Sequence, residues 1–270
     1  MYTFFIKELR NAFPIKKLFL ILVLMILPIG YTLARQQEYI LEDPLDLFTL
    51  ILQGVFPLLF VLLASFVYLI HFAKELKNNF FFYEKIRIPV QKLIQIKFSA
   101  MFLSTFLLFL MFMLICFMFC FYIAPAFDLI DYKPNTSLIP GTLLSVDVYT
   151  KHTFTQLFQY GTVVYGLTYS IWVSLHAALF ASLGFLLLLL ISNSFVALSL
   201  PFLFYMIGAF LLPSIDPTLT PYWFVNSIFP YGYVQQEIWT AFIPFVILVL
   251  LSSVLYIYVQ AQAKRLDDKS

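Results

Sequence analysis

From Phe98 to Ala124 the chain reads FSAMFLSTFLLFLMFMLICFMFCFYIA, twenty-seven residues without one charged side chain. About 20 apolar residues suffice for a helix to cross the hydrocarbon core of a bilayer. Inside lipid the backbone must satisfy its own hydrogen bonds, and a continuous helix does so. The stretch is therefore read as a membrane span. The same reading extends to Leu18–Ala34, Leu47–Phe72, Gly161–Ile191, Phe195–Leu212 and Trp239–Val259, which makes six. The fourth and fifth are separated only by Ser192-Asn193-Ser194 and form a tight helical hairpin. Pro28, Pro57, Pro201 and Pro244 fall inside spans, where neighbouring helices can take up the carbonyls they leave free.

The composition agrees with this reading. Hydrophobic residues make up 62% of the 270 and charged residues 11%, with a mean hydropathy of +0.93. A soluble domain carries roughly a quarter charged residues. A net charge of +2 gives no footprint for nucleic acid. The first apolar run ends in Ala34-Arg35-Gln36-Gln37 without a small-residue cleavage site, so it is read as a retained span. Cys116 and Cys120 share one helix face within the third span and are read as packing residues.

Charge placement orients the bundle. Thirteen of the 16 basic residues precede the first span, separate the second from the third, or follow the last. Arg35, Lys133 and Lys151 lie on the other side with most of the acidic residues. Loops rich in Lys and Arg stay in the cytoplasm, so both termini and the second-to-third loop are expected there, in a cell (plasma) membrane. Tyr2, Phe5, Ile6, Leu9, Ala12 and Phe13 line one helical face opposite Lys7, Glu8, Arg10 and Asn11, which predicts an amphipathic helix in the interface within residues 1–16. Residues 125–160 and 213–238 are the extracytoplasmic segments. The second is broken by Pro213, Pro217, Pro221 and Pro230 and is expected to form short helices in the outer interface. The whole chain, 1–270, is thus one polytopic all-α membrane domain with lipid as a constant partner.

Several chemistries have no signature here. The sequence holds no G-x-x-x-x-G-K-[ST] phosphate loop, no H-E-x-x-H, no C-x-x-C and no G-x-S-x-G. Catalytic, cofactor-binding and metal residues are accordingly expected to be none. His176 is the one ionisable side chain deep within a span. Such a residue is either a functional group or a neutral imidazole bonded to a neighbouring helix. No Asp, Glu, Lys or Arg accompanies it in the spans, which argues against a proton-driven carrier.

The cytoplasmic loop 73–97 is the most informative stretch. Phe80-Phe81-Phe82-Tyr83 stand among Lys77, Glu84, Lys85 and Arg87. Four consecutive aromatics on a charged loop need cover, either from lipid headgroups or from a groove on a soluble partner. Phe72, Glu75, Pro89 and Lys97 have the spacing of an aromatic, a Glu, a Pro and a Lys in the permease subunits of type 2 ABC (ATP-binding cassette) exporters, and here the chain resembles that family. It departs from the pattern in two places. Asn78, Asn79 and the aromatic tract stand where a Gly and small polar residues are usual, and Gln91-Lys92 replaces an Arg. The resemblance implies a permease paired with a second copy or a sister subunit, and driven by two separate ATPase subunits that bind the ATP. It also implies that the loop is a coupling helix touching the ATPase through Glu75, Phe80, Phe81, Phe82, Tyr83 and Pro89. The implied substrate is hydrophobic or amphipathic: a peptide, an antibiotic or a lipid-linked molecule. As a lone loop charge, Glu75 is expected to contribute little by itself. The competing readings are an ion-coupled secondary transporter and another kind of polytopic membrane protein.

Overall fold

A computed structural model describes residues 2–12, 15–35, 38–39, 41–78, 88–133, 150–231 and 235–267. All regular structure among them is helical, with no strand. The order is α1 (Tyr2–Ala12), α2 (Ile15–Ala34), α3 (Pro44–Gln53), α4 (Phe56–Lys77), α5 (Val90–Ala126), α6 (Thr162–Leu190), α7 (Ser194–Ile215), α8 (Phe224–Ile228) and α9 (Ile238–Asp267). Three-residue turns wind Thr153–Tyr160 and Pro217–Tyr222. Among the described residues five helices are long and apolar enough to cross a membrane: α4, α5, α6, α7 and α9. The expected first span falls on α2, which has 20 residues. The side chains of 15–22 and 24–25 lie outside the described residues.

Helix α6 is the axis, with α4, α5, α7 and α9 all packed on it. It is the most deeply buried of the long helices, although Val163, Leu167 and Ile171 leave one face of its first half exposed. Small residues permit the close approach: Ser170, Ser174, Ala177, Ala178, Ala181, Ser182 and Gly184 are all buried. Ser174 and Ser182 donate to the carbonyls of Ser170 and Ala178 one turn back, so their hydroxyls need no partner helix. The helix starts after Gly161, whose φ of 108° suits a residue without a β-carbon. Asn193 caps α7 by accepting from the N–H groups of Phe195 and Val196.

Three expectations about the spans are corrected. Residues Leu47–Phe72 are not one helix but the end of α3 and most of α4, parted at Gly54-Val55. Pro57 therefore stands in the first turn of a helix rather than inside one, where its missing N–H costs no bond. The third long helix begins at Val90, not Phe98, because Pro89 sets its N-terminus. Of the expected 73–97 loop, 73–77 belong to α4 and 90–97 to α5, and 79–87, with Phe80–Tyr83, lie outside the described residues. Near its far end α5 widens into a π turn, Phe119–Ile123, where Ala124 N–H reaches back to the Phe119 carbonyl. Pro125 follows and cannot donate to Phe121, so the ordinary ladder has to stop there. Short helices do form in the proline-broken segment, and α8 is buried against α7 and α9 through Phe224, Asn226, Ser227 and Ile228.

The ends of the helices sort into two groups. Asp267 at the end of α9 accepts from Val90 and Gln91 N–H at the start of α5 (2.8 and 3.1 Å). Pro89 offers α5 no side-chain cap, so Asp267 supplies one across 177 residues. Helix α1 packs on α4 and α5 at this same end. At the opposite end Lys151 meets Asp43 and Asp46, and Gln156 donates to the Gln236 carbonyl. The described members of the two groups of basic residues follow this division.

Candidate functional site

The basic end is built around Lys97, two turns inside α5. Its side chain is 0% exposed, and its Nζ lies 3.1 Å from Glu8 Oε1 and 2.8 Å from Glu75 Oε2. The Tyr68 hydroxyl donates to Glu8 Oε2 at 2.8 Å. His71 Nε2 stands 3.2 Å from Glu75 Oε1, one turn away on α4, and is the one member open to solvent, 37% exposed. The Phe4 ring lies 5.9 Å from the ammonium. Each group comes from a helix whose packing fixes it. Phe72 stacks on Phe185 at 4.4 Å and holds α4 against α6. Phe98 meets Tyr256 of α9 at 4.8 Å and fixes the rotation of α5. Phe4, Phe5 and Leu9 pack α1 onto the same apolar cluster.

Two readings change with this geometry. Glu75 is not a loop charge: it sits in helix α4, 14% exposed, in contact with a buried lysine. Glu8 is not on the solvent face of α1 but 1% exposed, because it lies one turn from Phe4 and finds Lys97 and Tyr68 there. Four positions stand out in the sequence by spacing. Of these, Glu75 and Lys97 touch, Phe72 is buried beside them, and Pro89 starts α5. Glu8, Tyr68 and Asp267 had no such signal, since their partners lie 60 to 177 residues away. Phe80, Phe81, Phe82 and Tyr83 lie outside the described residues.

Beside this cluster a cleft of about 780 Å³ opens at the basic end. Leu76, Lys77 and Val90, the two roots of the 78–89 segment, form one wall. The α6–α7 turn and the last turns of α9 form the others. Its floor is apolar and its rim carries Lys77, Asn193 and Gln262.

The opposite end has a second lysine site. Lys151 Nζ lies 2.7 Å from both Asp43 Oδ2 and Asp46 Oδ1. Burial works against its charge, but the two aspartates override this and raise its pKa. Next to it His152 is 1% exposed, and its Nδ1 accepts from Phe154 N–H at 3.3 Å. The ring proton is then on Nε2, which faces the Tyr165 hydroxyl at 3.2 Å. Burial, and then the charge of Lys151, push the His152 pKa down to about 3. Tyr165 and Tyr169 stack below it, and the Tyr169 and Tyr231 hydroxyls meet at 2.6 Å.

His176 is fully buried in α6. Its Nδ1 lies 2.9 Å from the Trp172 carbonyl, so that nitrogen carries the proton. Phe245 and Trp172 wall the ring, and Nε2 has no hydrogen-bond partner among the described residues. Cys116 and Cys120 are free and buried. No group of three metal-ligating side chains converges among the described residues. Comparison of the chain with protein-family models, with curated proteins and with solved structures finds no match.

Proposed function

We propose that the chain is the permease subunit of a type 2 ABC exporter. In this reading it lies in the cell membrane with both termini cytoplasmic and crosses six times, α2 supplying the first span. It forms a substrate pathway with a second permease copy or sister subunit, and separate ATPase subunits hydrolyse ATP. The substrate class is hydrophobic or amphipathic, such as a peptide, an antibiotic or a lipid-linked molecule. The observation that carries the reading is the joint at the roots of the 78–89 segment. Glu75 before it and Lys97 after it are in contact, and Asp267 ties its second root to α9. A push on that segment would reach α4, α5 and α9 together, as a coupling element requires. The cleft between its roots and the α6–α7 turn offers an apolar seat beside it.

The test is recovery of an ATPase with the tagged permease from mild detergent, normalised to folded permease. Wild type is expected to bring the ATPase with it. Phe81→Ala with Phe82→Ala is expected to insert normally, to lose most of that recovery and to transport poorly. Large aromatic anchors contribute on the order of 2 kcal/mol each to such contacts. Equal recovery and transport would assign the aromatic tract to the headgroups and remove the coupling role. An ion-coupled transporter is the second reading, because a lysine and two carboxylates are buried together at one membrane end. Transport that follows a pH gradient and ignores ATP depletion would favour it.

A further inference from the structure

The cleft at the basic end is amphipathic in the same sense as a lipid: apolar within, cationic at the mouth. We propose that it seats one anionic phospholipid of the surrounding leaflet, with an acyl chain on the apolar floor and the phosphate paired with Lys77. All five of the long apolar helices contribute to its walls, each through an end. Those ends set its depth. Helices α6 and α9 have 29 and 30 residues, about 43 and 45 Å at 1.5 Å per residue. A hydrocarbon core is about 30 Å thick, so the end turns of both reach headgroup level. Val259, two turns before the end of α9, lies lower, at the level of acyl carbons. Helix α4 has 22 residues and just covers the core, ending at Lys77, whose apolar stem lifts its ammonium towards the headgroups. The cleft therefore straddles the boundary that a phospholipid itself straddles. Its volume of about 780 Å³ is that of a small-molecule site.

Charge selects the anionic class. Lys74, Lys77, Lys92, Lys264 and Arg265 are exposed at this end. The three acids described there are already engaged, Glu8 and Glu75 with Lys97, and Asp267 with Val90 and Gln91 N–H. Of the five exposed cations, Lys77 alone lines the cleft. Beside it the α6–α7 turn brings Asn193 and Ser194. The Asn193 amide oxygen is spent on the α7 cap, so that side chain offers its NH2, a donor. An ammonium, an amide NH2 and a hydroxyl at one rim suit a phosphodiester, which accepts hydrogen bonds and carries negative charge. Basic pockets between membrane helices take anionic headgroups on this principle.

The full-length protein in mixed micelles, supplied with phosphatidylglycerol or with phosphatidylcholine of the same acyl chains, provides the test. Native mass spectrometry counts the lipids it retains. Wild type should keep one phosphatidylglycerol in preference to phosphatidylcholine. Lys77→Gln should lower that preference about fivefold, the worth of one lysine at a lipid surface. Lys92→Gln, equally exposed but outside the cleft, should leave it unchanged. Leu266→Gln replaces an exposed apolar wall residue and should weaken retention of phosphatidylglycerol while keeping the preference. Equal retention of the two lipids, or equal losses in the two lysine variants, would mean that lipid gathers on a basic surface without a seat, and would overturn the proposal. Retention that rises in Phe81→Ala with Phe82→Ala would assign the cleft to the chain's own aromatic tract and overturn it as well. The measurement involves neither ATP nor an ATPase, so its failure would leave the permease reading untouched.

Discussion

Each end of the bundle holds a lysine between two carboxylates, and the two sites differ in where the partners come from and how wet they are. Lys97 draws Glu8 from α1 and Glu75 from α4, across 89 and 22 residues, and has 0% exposure. Lys151 meets Asp43 and Asp46, which are adjacent in the first turn of α3, with 15% exposure for the lysine and 22 and 24% for the acids. Asp43 and Asp46 also have local work. Asp43 caps α3 by accepting from Asp46 N–H, and Asp46 accepts from Glu42 N–H. Without Lys151 both acids would keep backbone partners and water. Without Lys97, Glu8 and Glu75 would be left facing each other in a closed site. Lys151 joins one segment to a helix that is already capped, whereas Lys97 is the common joint of three helices.

That contrast fixes the largest predicted effect. Lys97→Met is expected to cost about 3–5 kcal/mol, the range for stranding a buried charge by removing its partner. Lys151→Met should cost about 1 kcal/mol, since its aspartates stay partly solvated. Denaturant unfolding in mixed micelles, followed by tryptophan fluorescence, measures both. Equal losses would break the comparison and place the two lysines in the same class.

Much of the frame is legible in the sequence, and the joint is not. Charge-free runs such as Phe98–Ala124 place helices because lipid leaves the backbone no alternative. The boundaries shift where local chemistry intervenes: Pro89 starts α5 two turns early, and Gly54-Val55 with Pro57 splits α3 from α4. Glu8 reads as a solvent-face residue from helical periodicity, because periodicity sorts polar from apolar and does not reveal a buried partner 89 residues away. Lys97 reads as a loop charge for the same reason. The spacing of Glu75 and Lys97 was visible, but their contact depends on how α4 and α5 lean together. The His152 site was illegible, since its partners are hydroxyls and backbone groups that no spacing rule links to it.

The Lys151 end sharpens the comparison through pH. His152 is neutral in the fold with a pKa near 3, well below the ordinary imidazole value of about 6.5. Between those two values the unfolded chain binds a proton that the folded chain refuses. Stability contributed by this residue is therefore complete above about pH 6.5 and falls with acidification, by about 1.4 kcal/mol per pH unit at most. Carboxylates enter near pH 4, so the slope between about pH 6.5 and pH 5 is the diagnostic part. His152→Asn retains an N-cap acceptor for Phe154 N–H and cannot titrate. Unfolding of wild type and variant across that interval is expected to show a shallower slope in the variant by close to one proton. Identical slopes would mean that His152 titrates alike in both states and that water reaches it.

The smallest effect is expected at His176, where neither lysine site has a counterpart. A conducting imidazole needs a group on each side to give and take the proton. Here Nδ1 is committed to the carbonyl of Trp172 in its own helix, and Nε2 faces the aromatic wall of Phe245 and Trp172 with no described partner. The Trp172 carbonyl also belongs to the α6 backbone ladder, so loss of the side-chain bond leaves it satisfied. His176→Gln can restore that bond. His176→Phe gives it up but also removes a buried acceptor that has no donor, and exchanges of this kind come out near neutral. Both variants are expected within about 1 kcal/mol of wild type in stability, and with most of their transport intact. Transport by normally expressed His176→Gln, measured with and without an imposed pH gradient, decides the matter. Abolished activity in a stable variant would make this imidazole a working group, and would move the ion-coupled reading ahead of the ATP-driven one.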